Sequence, residues 1–182
     1  MRHLPNILTI GRLILLPFLV IMMMVGTEWA AWTALTLYTV SCITDWLDGF
    51  IARRLQLESS FGTFLDPIAD KIFVLTVMLT LVANHMLEGL WLTPIILILA
   101  REFLISGLRE FLGPKNIQIP VSNLGKWKTT IQMVALGFLV VGDFGDAVLP
   151  YTVEIGKVGL LAATVLTIVT GWSYLKVGLK HL

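Results

Sequence analysis

Six apolar runs follow one another along the chain, each close to the thickness of a lipid hydrocarbon core, with polar residues gathered at their ends. A bilayer core takes about 20 mainly apolar residues of helix, and the runs fall at 6–25, 29–50, 61–83, 90–112, 126–141 and 158–177. Helix-breaking residues separate them: Gly26 with Thr27 and Glu28, Asn84 with His85, Gly113 with Pro114, and the stretch from Gly142 to Gly145. The longest link, between the fourth and fifth runs, contains Gly113, Pro114, Pro120 and Gly125 and is expected to be ordered over the surface rather than helical throughout. No internal repeat or low-complexity segment interrupts the pattern. It predicts an all-α, polytopic membrane protein with about six transmembrane helices in a single membrane-embedded domain, 1–182.

Composition sharpens this reading. Of 182 residues, 57% are hydrophobic and 14% charged, and the mean hydropathy is +0.86, far from the balance of a soluble globular domain. The net charge of +1 conceals an asymmetry. With six spans, one face of the membrane receives Arg2, Arg12, Arg53, Arg54, Lys71, Arg101, Arg109, Lys115, Lys126, Lys128, Lys176 and Lys180, and the other receives only Lys157. Basic residues are retained on the cytoplasmic side, so both termini are expected there, in the cell's cytoplasmic (inner) membrane. Arg2 and His3 ahead of an apolar run imitate a signal peptide, but no small-residue cleavage site follows, and the segment is expected to be retained. The single cysteine, Cys42, allows no intramolecular disulfide and reads as a small buried hydrophobe. No nucleic-acid partner is expected.

Four aspartates border the second and third spans. Asp45 and Asp48 are three residues apart, Asp66 and Asp70 four apart, so on helices each pair projects from one face. Unpaired carboxylates at the edge of hydrocarbon repel one another and resist desolvation, so a positive charge belongs among them. Capping and pairing with Arg53, Arg54 and Lys71 would serve a single aspartate. Four in this spacing, with Gly49, Ala52 and Gly62 interleaved where backbone must approach a ligand, favour a metal ion. Carboxylate-only ligation suits magnesium or manganese rather than zinc, and no Cys or His accompanies the cluster.

The segment from Asp45 to Asp70 resembles the signature of the CDP-alcohol phosphotransferase family, D-x2-D-G-x2-A-R-x8-G-x3-D-x3-D. Asp45, Asp48, Gly49, Ala52, Arg53, Gly62, Asp66 and Asp70 fill it in order. The resemblance implies a six-helix membrane fold in which the four aspartates hold two divalent ions against the diphosphate of a CDP-linked lipid. Asp45, Gly49, Ala52, Arg53 and Gly62 would contact the nucleotide part. By the same resemblance Asp70 is the base that takes the proton of an acceptor hydroxyl while CMP departs, and a homodimer is a family expectation.

The acceptor depends on the remaining polar residues. Asn6, Thr9 and Arg12 are three apart; Arg101-Glu102 is followed by Ser106, Gly107, Leu108 and Arg109; and Gly125-Lys126-Trp127-Lys128-Thr129 leads to Gln132. Capping, local pairing and interfacial anchoring could account for any one of them. Together they offer more cations than a neutral alcohol needs, and Arg12, Arg101, Arg109, Lys126 and Lys128 are candidates to hold an acceptor phosphate. They also resemble the branch of the family that uses glycerol-3-phosphate, which implies CDP-diacylglycerol as donor and membrane lipids as neighbours. Inositol phosphate, serine or phosphatidylglycerol as acceptor is the near alternative. A divalent-cation transporter is more distant, because nothing carries the carboxylates to the other side, and a purely structural subunit would make the signature a coincidence. The sixth span shows no residue that marks a role.

Overall fold

The computed structural model describes residues 4–55, 60–113 and 123–179. Six long helices account for nearly all of them: α1 (Leu4–Val25), α2 (Glu28–Leu55), α3 (Ser60–Ala83), α4 (Leu92–Leu112), α5 (Asn123–Val141) and α6 (Thr152–Leu179). The protein is all-α. Three stretches, Gly89–Leu112, Leu124–Ala147 and Thr152–Lys176, are long and apolar enough to cross a membrane, and Thr9–Val25 is a shorter apolar helix. The polar residues of α2 and α3, among them Asp45, Asp66, Asp70 and Lys71, cluster toward one end of each helix. The expected surface course of the link between α4 and α5 falls largely outside the described residues.

The breakers act where the pattern places them. Gly26 and Gly142 take left-handed backbone with φ of 70° and 61°, and His85 does so with φ of 58°, a region that favours glycine and costs other residues little only at turns. Gly113 differs: it follows α4 with an ordinary helical φ of −52°. Two helices are longer than hydropathy predicts. α2 continues to Leu55 through Ala52, Arg53 and Arg54, good helix formers whose charge hides them from a hydropathy count. α6 starts at Thr152, where the Asp146 carboxylate accepts a hydrogen bond from the Thr152 amide at 2.8 Å and satisfies one of the free donors of the first turn.

Each helix buries one stripe and shows the other to its surroundings. On α1, Leu16, Leu19 and Met23 are buried while Ile14, Phe18 and Ile21 are exposed; on α6, Leu160, Ala163, Thr167 and Thr170 are buried while Leu161, Val165 and Ile168 are exposed. Large apolar side chains facing outward in such numbers are what a lipid-surrounded bundle presents. α1 packs against α2 and α3, α4 and α5 against α6, and α2 against α5. At the centre, the Tyr38 and Phe73 rings stack at 5.6 Å, and the Tyr38 hydroxyl donates to the Met133 carbonyl at 2.8 Å. At the far end, Asn84 Nδ2 donates to the Met23 carbonyl at 2.7 Å, and Lys157 lies over the Trp91 ring.

The α5–α6 contact relies on small residues. A Cβ on Gly156 would stand 2.8 Å from Leu139 Cγ and 3.1 Å from the Ala135 carbonyl oxygen, and one on Gly159 would stand 2.9 Å from the Ala135 Cβ. In lipid, helices associate through such close packing rather than through exclusion of water. Gly156→Val is therefore expected to separate the two helices and cost about 1–3 kcal/mol, read as a lower thermal unfolding temperature of the detergent-solubilised protein.

Candidate active site

The stripes that are apolar through the middle of the bundle turn polar at one common end. On α1 the buried face of Leu16 and Leu19 continues back one turn to Arg12 and Thr9; on α5 that of Leu136 and Leu139 continues to Gln132 and Lys128. The same happens on α2 at Asp45, on α3 at Asp70 and on α4 at Glu102. Because the helices alternate in direction, the start of α1, α3 and α5 and the end of α2, α4 and α6 meet there.

Arg12 is the hub. Its side chain is 3% exposed, and its Nη1 lies 2.5 Å from Asp45 Oδ1 and 2.9 Å from Asp70 Oδ1. One nitrogen of α1 thus holds carboxylates from α2 and α3, which are 34% and 52% exposed. One turn earlier, Thr9 Oγ1 donates to Asp66 Oδ1 at 2.8 Å. Three of the four signature aspartates are thereby tied to one helix. The helical backbone carries Asp48, Gly49, Ala52 and Arg53 on the last turns of α2, but their side chains lie outside the described residues; Gly62 is buried near the start of α3.

A second polar network joins α4, α5 and α6. The Glu102 carboxylate accepts from Lys128 Nζ and, at 3.1 Å, from Arg101 Nη1. Arg101 Nη2 also donates to Thr170 Oγ1 at 3.2 Å, and Arg101 and Arg109 both lie over the Tyr174 ring, at 5.4 and 5.5 Å from its centroid. α6 passes close enough for this at Gly171, where a Cβ would come within 3.0 Å of Arg101 Cγ. The sixth helix, featureless in sequence, therefore orients two of the candidate phosphate-binding arginines by hydrogen bonding and cation–π contact. Lys71 Nζ donates to Ser106 Oγ, linking α3 to α4. Of the five candidate cations, Lys126 is exposed, Lys128 is buried in its ion pair, and Arg12 is committed to the aspartates.

Two cavities meet at Asp70. A small one of about 190 Å³ is lined by Arg12, Asp45, Asp70, Glu102, Lys128 and Gln132. A wider one of about 530 Å³ is lined by Asp70, Lys71, Arg101, Ser106 and Arg109. A third, apolar groove of about 580 Å³ runs between α2 and α5 past Trp32, Tyr38, Cys42 and Phe138, and Met133 lines both it and the small polar cavity. The polar cavity beside the aspartates and the apolar groove thus adjoin at Met133.

The CDP-alcohol phosphatidyltransferase family model matches residues 2–170. The chain belongs to this family. Relatives within the CDP-alcohol phosphatidyltransferases extend the likeness. A Rickettsia typhi protein named CDP-diacylglycerol–glycerol-3-phosphate 3-phosphatidyltransferase is 42% identical over 176 residues, 97% of each chain. Proteins of the same name from Cereibacter sphaeroides and Shigella flexneri are 35% and 38% identical, covering 98% and 96% of this chain and 96% and 92% of their own. The likeness therefore runs through all six helices and is not confined to the aspartate segment.

The donor set around Arg12 suits the divalent ions associated with the family's signature in one respect and is incomplete in another. Asp45 and Asp70 already converge on a cation, and their oxygens are the hard donors that magnesium prefers. Among the described residues no three Asp, Glu, His or Cys side chains gather closely enough to hold a metal on their own, and the fourth signature carboxylate, Asp48, is outside that set.

Removing the hub is expected to be costly. Arg12→Met leaves two carboxylates without their buried cation and should lower stability by about 1–3 kcal/mol, the smaller part of the range for a buried pair because both partners are partly wet. Adding Asp70→Asn should recover part of that loss. A double-mutant cycle of thermal unfolding in metal-free detergent solution measures the coupling.

Proposed function

We propose that this chain transfers the phosphatidyl group of CDP-diacylglycerol to sn-glycerol-3-phosphate, forming phosphatidylglycerolphosphate and releasing CMP. The observation that carries the reading is the position of Asp70: half exposed, held by Arg12 on one side, and opening on the other to a cavity lined by Lys71, Arg101 and Arg109 as well as Glu102 and Glu110. The near full-length relatives bearing the name of this activity support the same conclusion.

In this reading Asp70 takes the proton of the acceptor's primary hydroxyl. The freed oxygen forms a bond to the phosphorus that carries diacylglycerol, the bond from that phosphorus to the bridging oxygen breaks, and CMP leaves with the electron pair. Asp45, Asp48, Asp66 and Asp70 would hold magnesium or manganese, in two ions by the family resemblance, which supplies charge neutralisation at the diphosphate. Arg12 keeps Asp45 and Asp70 facing one another and so positions the base. Gly49, Ala52, Arg53 and Gly62 are assigned to the nucleotide. Arg101 and Arg109, fixed against Tyr174, and Lys71 receive the acceptor phosphate; guanidinium groups pre-oriented in this way lose little freedom on binding an oxyanion. Lys128 acts through Glu102 to fix Arg101, and exposed Lys126 draws anions to the mouth of the site.

The apolar groove beside Met133 gives the acyl chains a route to the same point from the lipid. All six helices are assigned as spans of the bacterial cytoplasmic membrane, within one domain, with both termini and the site on the cytoplasmic side, where the basic residues lie. A homodimer is the assigned assembly.

Purified protein supplied with CDP-diacylglycerol and magnesium should release CMP when given glycerol-3-phosphate, should not do so with inositol, inositol phosphate or serine, and should stop when the metal is chelated. Release with another acceptor only would overturn the acceptor, and release with none would overturn the reaction. Asp70→Asn should lower kcat by roughly 10²–10⁴-fold while the protein elutes as the wild type does. Arg109→Met should raise KM for glycerol-3-phosphate about tenfold, the loss of one charge-assisted contact, with KM for the lipid donor unchanged.

A further inference from the structure

Gln132 is buried where a polar side chain needs a partner and has none for its carbonyl. The residue is 3% exposed, and its Oε1 has no hydrogen-bond partner among the described residues. It lies one helical turn from Lys128 on the same face of α5 and lines the 190 Å³ cavity together with Arg12, Asp45, Asp70 and Glu102. An amide carbonyl removed from water without a partner is costly. The side chain is held there by a tight setting: Ala135 and Leu136 on the next turn are buried, and Met133 beside it is tied through its own carbonyl to Tyr38.

The missing partner must be a donor. Phosphate oxygens only accept, so neither the diphosphate of the donor lipid nor the phosphate of the acceptor satisfies Oε1. No cation of the cavity reaches it: Arg12 Nη1 is held by Asp45 and Asp70, Lys128 by Glu102, Lys71 donates to Ser106 Oγ, and the buried Arg12 Nε is itself without a partner among the described residues. A hydroxyl remains, and a cavity of this size, below the ~300–1,000 Å³ of sites for drug-sized ligands, admits a small polyol. Glycerol-3-phosphate has two hydroxyls. The primary one reacts at Asp70; the secondary one, on the adjacent carbon, is left for a neighbouring acceptor in the same cavity.

We infer that Gln132 determines acceptor specificity by accepting a hydrogen bond from the non-reacting secondary hydroxyl of the glycerol moiety. This rests on the transfer reaction proposed above. It makes Gln132 the residue that distinguishes a glycerol phosphate from a phosphorylated alcohol that carries the same nucleophile and phosphate but no middle hydroxyl. Sites that hydrogen-bond a substrate hydroxyl reject the analogue lacking it, because the site's own polar group is then left bare.

The test compares kcat/KM for glycerol-3-phosphate and for 3-hydroxypropyl phosphate, which lacks only that hydroxyl, in the wild type, in Gln132→Met and in Gln132→Glu. The wild type should prefer glycerol-3-phosphate by roughly 10–100-fold. Gln132→Met, of similar volume and without the acceptor, should bring the ratio to within about threefold of unity, mostly by losing rate on glycerol-3-phosphate. Gln132→Glu keeps an acceptor and should keep a preference above about tenfold, whatever its overall rate, and it decides the matter if the Met variant does not fold. The magnesium concentration for half-maximal rate should not move in Gln132→Met. An undiminished preference in Gln132→Met, a lost preference in Gln132→Glu, or no preference in the wild type overturns the assignment, as does a tenfold shift in the magnesium requirement, which would give the carbonyl to the metal. A wild type that releases CMP with neither acceptor fails the transfer reading itself, and the assignment falls with it.

Discussion

A guanidinium buried among helices that face lipid is tolerable only when it is paired, and the architecture of this bundle follows from how Arg12 is paired. Its Nη1 meets carboxylates from two other helices. The buried cation could not stay there alone, since an isolated charge would carry a desolvation cost that attraction to the partly exposed carboxylates must offset. Satisfying Arg12 therefore fixes where the start of α1 sits against the end of α2 and the start of α3. The same contact brings the signature aspartates into one place. Two of the signature aspartates thus also hold three helices together.

The rest of the bundle makes that arrangement possible by dividing each helix lengthwise and crosswise. Lengthwise, one stripe packs inward while the other carries the apolar side chains that meet lipid. Crosswise, the inward stripe is hydrocarbon and small residues through the middle and becomes Thr9, Arg12, Asp45, Asp70, Glu102, Lys128 and Gln132 at one end. The stacked Tyr38 and Phe73 rings stand near the change-over, with Met133 alongside. Close packing at Gly156 and Gly159 joins α5 to α6 without polar groups.

Much of this could be read from the chain. The six helices begin and end near the limits that hydropathy sets, and where they differ the cause is local: charged helix formers extend α2, and the Asp146 carboxylate starts α6 six residues early. The aspartate spacing pointed to shared helix faces because three- and four-residue intervals on a helix leave little freedom about direction. Pairings between distant helices were not legible. Arg12 looked like a free cation for phosphate because nothing in its own neighbourhood reveals partners 33 and 58 residues away. Tyr174 lies in a run that hydropathy treats as generic, and only the approach of α4 to α6 at Gly171 gives its ring two arginines to support. Gln132 stood in plain view within the basic motif, but its unmet carbonyl is a property of burial, which sequence spacing does not report.

The separation between Arg12 and its carboxylates also has a meaning for how the protein is made. Chains enter the membrane from the amino end, so the first helix is synthesised 58 residues before the last of its counter-charges. Until α3 has been made, α1 holds a cation with only one of its two carboxylate partners available. The pairing of Arg12 is complete only when Asp70 of α3, the later of its two partners in the chain, is in place.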